Sequence, residues 1–112
     1  KSRWAKTEPV YNEIEILLPQ GQHVVVCKID AVYKIGERWA VVDWKTGAMP
    51  TSENEKDQKA MQLALYRRAF ANWMGIEPSE VDAVLFYVAH ETEWVIEPER
   101  LLRLEALPPI AS

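Results

Sequence analysis

Three side chains in the first half of the sequence have the types and spacing for chemistry: Asp30, Asp43 and Lys45. Asp30 is flanked by Ile29, Ala31 and Val32, where an ionised carboxylate is costly unless something pairs with it. Asp43 repeats the anomaly after Val41 and Val42, and Lys45, two residues on, shares its face in an extended strand. A hairpin folded about Gly36 makes Asp30 and Asp43 approximate cross-strand neighbours, with Cβ atoms roughly 5 Å apart. Two carboxylates at that separation repel unless a cation lies between them. Oxygen-only ligation suits Mg²⁺ or Mn²⁺, hard ions that keep several waters and bind phosphate directly. A lysine on the same face is placed to orient or deprotonate an attacking water and to offset charge on a phosphorane-like transition state.

The elements that must position these residues follow from periodicity. Tyr11 to Leu18 alternates, Ile14 and Ile16 against Glu13 and Glu15, as a half-buried strand does, and Pro19, Gln20 and Gly21 then turn the chain. His23 to Lys34 and Arg38 to Lys45 are β-branched and apolar runs on either side of the turn at Ile35, Gly36 and Glu37, so three successive antiparallel strands are expected. After Gly47 and Pro50, Ser52 and Glu55 have capping-box spacing, and a helix counted from Asn54 to Trp73 and ended by Gly75 would be about 30 Å long. Val81 to Ala89 reads as a buried strand, Glu93 to Ile96 as a shorter one paired with it, and Pro98 to Leu104 as a short terminal helix. Strands interrupted by one long helix suggest a mixed α/β sandwich, with the helix covering the sheet. Phe70, Trp73, Leu63 and Met74 are expected in the core, with Trp39, Trp44 and Trp94 packing the helix or sheet, Cys27 buried and His90 solvated at a strand end.

Lys28-Ile29-Asp30, Asp43-Trp44-Lys45-Thr46-Gly47 and Gln62-Leu63-Ala64-Leu65-Tyr66 follow one another in the order and spacing of three signatures of RecB-like nucleases. From Glu15 to Ala89 the chain resembles that branch of the PD-(D/E)XK superfamily. The resemblance implies a restriction-endonuclease-like core, a mixed central sheet with a flanking helix. It also implies that Asp30 and Asp43 bind the metal, with the Trp44 backbone carbonyl as a further ligand, and that Lys45 is the catalytic lysine. Gln62 and Tyr66 would contact DNA or support the site. Two departures stand out. Cys27 and Val26 occupy positions where this branch commonly has a glycine. The upstream His or Glu that completes the metal shell in many members sits on a helix before the sheet, and the sequence begins too late to show it, so the first helix of the family core is expected to be missing. His23 is a poor substitute, whereas Glu13 or Glu15 could approach from the first strand.

Composition bounds these readings. One domain is expected over residues 1–112, and the start at Lys1 reads as trimming or as an excerpt of a longer helicase–nuclease chain. Cys27 is the only cysteine, which excludes an internal disulfide and a cysteine-based zinc or iron–sulfur site made by this segment alone. That usage fits a cytoplasmic protein, and no run approaches the roughly 20 apolar residues of a membrane span. The net charge of −4 is the wrong sign for a free-standing domain that holds DNA by neutralising phosphates, although Lys56, Lys59, Arg67 and Arg68 fall in the long helix as a local basic surface. A motor that threads the strand makes such a surface dispensable.

The expected function is therefore divalent-metal hydrolysis of DNA phosphodiester bonds in repair or recombination, with helicase domains of the same chain or of a partner subunit. An exonuclease is preferred to an endonuclease, and the isolated segment is expected to cleave poorly. The competing reading is a catalytically incomplete nuclease fold kept for DNA binding or scaffolding. On that reading Asp43 and Lys45 end an exposed strand, and Gln62 and Tyr66 are a helix-surface pair at i, i+4.

Overall fold

Alternation from Tyr11 onward produces β1 (Tyr11–Gln20), which pairs antiparallel with β2 (His23–Ile35), and β2 pairs antiparallel with β3 (Arg38–Lys45). These and the following elements come from a computed structural model that describes residues 8–105. Residues 1–7, the part of the chain nearest the helix that the resemblance puts before the sheet, lie outside the described residues. The first hairpin is tighter than expected: β1 runs through Pro19, and the turn is Gly21 and Gln22, with Gly21 at φ +62. Pro19 is tolerated because β1 is an edge strand, where a missing N–H need not break an interior ladder.

The capping box forms as its spacing predicts. Ser52 Oγ accepts from the Glu55 N–H at 3.1 Å and Glu55 Oε1 accepts from the Ser52 N–H at 3.3 Å, starting α1 (Glu53–Met74), which Gly75 ends in the left-handed region at φ +73. This helix supplies the crossover that lets β4 (Val81–Tyr87) lie parallel to β3. The expected strand to Ala89 stops at Tyr87, where a 3₁₀ turn over Val88–His90 leaves His90 exposed. β5 (Thr92–Val95) then returns antiparallel to β4, and α2 (Pro98–Glu105) follows. The result is a five-stranded mixed sheet ordered β1-β2-β3-β4-β5.

The sheet buries apolar side chains on both faces. Ile29, Val41 and Leu85 join Leu63 and Phe70 of α1 in the larger cluster, while Ala31, Tyr33, Val42, Val84 and Phe86 form a second cluster with Trp44 against it. Trp39 packs on Phe70 with ring centroids 5.4 Å apart, and Trp44 meets Phe86 edge-on at 5.6 Å. Cys27 is fully buried. Two expectations on α1 are corrected. Trp73 is 52% exposed, lying over Tyr11 at the sheet's edge. Arg67 is no part of a basic surface: it is buried, donating from Nε to the Val81 carbonyl at 2.9 Å and from an Nη to Glu105 at 2.7 Å. No helix among the described residues is long and apolar enough to cross a membrane.

Candidate active site

The observed β2–β3 ladder runs from Ile35 opposite Arg38 to Ala31 opposite Val42, so Asp30 and Asp43 occupy the next position, as the turn at Gly36 implied. A change of phase in β2 brings them together. Ile29 and Val32 both belong to the helix-side cluster while Ala31 and Tyr33 belong to the opposite one, so strict alternation breaks at Asp30. The strand beside it breaks at the matching place: Glu13 of β1 takes φ +55, and neither Glu13 nor Asp30 joins the ladder whose pairs resume on both sides. At this interruption of the ladder the Asp30 carboxylate turns to β3, and its Oδ2 accepts from the Trp44 N–H at 3.0 Å.

On β3, Trp39 and Val41 pack into the helix-side cluster, and the alternation continues to Asp43 and Lys45 on that face. Asp43 is 8% exposed, and its Oδ2 lies 2.8 Å from Lys45 Nζ. Burial, and after it a hydrogen bond with the Asp30 carboxyl, push the Asp43 pKa up to about 6 against the pull of Lys45. Burial is the largest single influence on Lys45 and would lower it, but the hydrogen bond with Asp43 and the charges of Asp43, Tyr87 and Asp30 together outweigh it, so the ammonium is held more firmly than usual. Both shifts describe one cluster, in which Asp43 touches the Asp30 carboxyl on one side and the Lys45 ammonium on the other, two acids with a single lysine.

α1 closes the site from above the sheet. Gln62 donates from its amide to the Tyr66 hydroxyl at 3.1 Å, and the Tyr66 phenol is raised first by burial and next by the charge of Asp43. The i, i+4 pair therefore exists as a helix pair, and its tyrosine faces the carboxylates as well. Glu13 and Glu15 line an open groove of about 260 Å³ with Lys28 and Asp30. Among the described residues, no group of three or more His, Cys, Asp or Glu side chains is placed to hold a metal ion. A larger groove of about 390 Å³ runs along Glu97, Glu99, Arg100 and Arg103, whose arginines are already ion-paired, and it contains none of these residues.

Tyr87 also stands at this site, although nothing in the apolar run that forms β4 marks it out. It is the last residue of β4, paired in the parallel ladder with Lys45 and packed in the helix-side cluster. It is 1% exposed, and its hydroxyl oxygen is buried with no hydrogen-bond partner among the described residues. Burial raises its pKa, and the charges of Lys45 and Asp43 both act on it. The carboxyl-terminal ends of two adjacent parallel strands thus meet at this point, where open α/β sheets place their ligands.

The donor set fits a hard divalent cation. It offers two carboxyls at one point, and the one whose pKa is raised to about 6 would be eased into its ionised form by a cation. No curated protein matches the chain. A family model described as the PD-(D/E)XK nuclease superfamily matches residues 2–107. Members of that superfamily generally use divalent metals, and the mixed sheet flanked by α1 is consistent with their restriction-endonuclease-like fold. With a match over nearly its whole length and an acid–acid–lysine cluster where the two parallel strands end, the chain belongs to the PD-(D/E)XK nuclease superfamily.

Proposed function

We propose that the protein hydrolyses DNA phosphodiester bonds with Mg²⁺ or Mn²⁺ held by Asp30, Asp43 and the Trp44 backbone carbonyl. The observation that carries this reading is the contact of the Asp30 and Asp43 carboxyls beside Lys45, near enough to Tyr66 for their charges to act on its phenol. A cation bound there supplies Lewis-acid polarisation of the phosphate and acidifies a water. Lys45 holds its proton firmly, so its first task is to orient the attacking water and to balance charge on the phosphoryl oxygens. Tyr66 and Gln62 brace the site from the helix and meet the DNA backbone.

The RecB-like branch is supported by the order of the three signatures on β2, β3 and α1. Within it, the chain acts as one nuclease domain, an excerpt of a cytoplasmic helicase–nuclease that serves repair or recombination. A motor in the same chain or a partner subunit delivers the strand, and cleavage proceeds from an end. The net charge of −4 and the burial of Arg67 favour delivery over capture by a basic surface. A second reading, a catalytically incomplete module for DNA binding or scaffolding, is favoured by the lack of a third metal-binding side chain among the described residues.

An assay of the whole protein and of this segment on end-labelled single- and double-stranded DNA, with Mg²⁺, Mn²⁺ or chelator, separates the two. Cleavage by the whole protein that chelator abolishes supports the enzyme. DNA binding without cleavage under any metal supports the module. Cleavage unaffected by chelator removes the metal site from the account.

A further inference from the structure

We propose that the Tyr87 hydroxyl is a second seat for the Lys45 ammonium, taken up when a divalent cation occupies the Asp30 and Asp43 carboxylates. The inference rests on the metal-nuclease reading above. In the structure Lys45 Nζ bonds Asp43 Oδ2 at 2.8 Å, so the lysine occupies one of the two Asp43 oxygens that a cation could take. An ammonium and a divalent cation on one carboxylate repel each other, so loading the site favours a shift of Lys45 to another acceptor. An ammonium only donates hydrogen bonds, so it needs an acceptor wherever it goes.

The surroundings leave few acceptors. Asp30 is committed to the same cation, the Trp44 side chain packs against the opposite sheet cluster, and the Tyr66 hydroxyl is already engaged by Gln62. Tyr87 sits beside Lys45 in the β3–β4 ladder, on the same face, with a buried hydroxyl that has no partner among the described residues. Native proteins rarely leave such an oxygen unpaired, and one next to a flexible lysine has an evident use. The Lys45 side chain is 26% exposed and could otherwise swing towards solvent. Tyr87 is therefore a positioning residue. It keeps the displaced ammonium within the site, near the water and phosphate it must serve, and it lowers the penalty of loading the cation.

Calorimetric titration of the whole protein with Mn²⁺ tests this. Tyr87→Phe keeps the ring and removes the oxygen, and is expected to weaken Mn²⁺ binding by about tenfold, the low end for an outer partner of a metal site. The melting temperature without metal is expected to hold or rise, because the oxygen lost had no partner. Lys45→Met, which removes the competing ammonium, is expected to tighten Mn²⁺ binding, and Tyr87→Phe added to it is expected to change nothing further. Wild-type Mn²⁺ affinity in Tyr87→Phe overturns the proposal alone, as does an equal loss with and without Lys45. A parent protein that takes up no Mn²⁺ overturns the metal-nuclease reading together with it.

Discussion

Two charge clusters sit at opposite extremes of satisfaction in this molecule. Between α1 and α2, Arg100 bonds Asp57 at 2.6 Å, Glu53 at 2.8 Å and Glu97 at 2.9 Å, and Arg103 adds a bond to Asp57 at 2.7 Å. Every one of those groups is held in its charged form, the acids lowered and the arginines raised. At the end of β3 the balance is reversed: two carboxyls meet, only Asp43 bonds the one lysine and its pKa is raised to about 6, and a tyrosine hydroxyl nearby has no partner among the described residues. The first arrangement is a clamp that fixes one helix on another. The second is destabilising in itself, since an unpaired buried hydroxyl costs about 1–3 kcal/mol, and such cost concentrates where a site awaits a ligand.

Substitution at the second cluster gives the largest expected effect. Asp43→Ala and Lys45→Ala should each lower cleavage by about a thousandfold or more, on the scale of losing a principal electrostatic group. Metal-free melting of Asp43→Ala at pH 7–8 should match or exceed the parent, while the stabilisation by Mn²⁺ disappears. If Asp43→Ala instead unfolds the protein, the contrast with the clamp breaks, because the carboxylate would be structural.

Titration sharpens the contrast. Asp43 has an ordinary value of 3.8 and a folded value of about 6, so between them the folded state holds more protons than the unfolded one. Metal-free stability should therefore fall as pH rises from 3.8 to about 6 and level off above that, an effect of about 3 kcal/mol at most. Mn²⁺ must displace the same proton, so its affinity should drop about tenfold per unit of pH below 6. Melting curves across this range, repeated on Asp43→Asn, should show the downward slope in the parent only.

At the clamp, Arg100→Ala should lower stability by about 1 kcal/mol, read as a shift in the denaturation midpoint, and leave the intrinsic cleavage rate of folded protein unchanged. A loss of Mn²⁺ affinity there would show that the two clusters are coupled through α1. The smallest effect belongs to Tyr66→Phe. It keeps the ring against the site and loses the Gln62 hydrogen bond, so a cleavage loss of a few fold with unchanged metal affinity is expected.

Legibility differed in the same way between local and distant relations. Asp30 and Asp43 could be registered from sequence because one short turn at Gly36 fixes their pairing, and the Ser52–Glu55 box announced where α1 begins. Arg67 is legible from the helical row it shares with Leu63 and Phe70, which puts the arginine on the buried side despite its charge. Tyr87 carried no such signal. It read as one more aromatic in an apolar strand, and no local rule sets the register of strands joined through a long crossover, so its place beside Lys45 was invisible. The break of phase at Glu13 and Asp30 was equally hidden, because it needs two strands to bend together.

That parallel pairing has a kinetic consequence. The β2–β3 hairpin closes across a single turn, whereas Lys45 meets Tyr87 only after a loop of about 40 residues has been closed, at a greater loss of chain entropy. Asp30, Asp43 and Lys45 can thus come together early in folding on a locally formed hairpin, while β4 docks later and completes the wall around them. Newly made chains would pass through a stage in which the acidic cluster is assembled but still open to water.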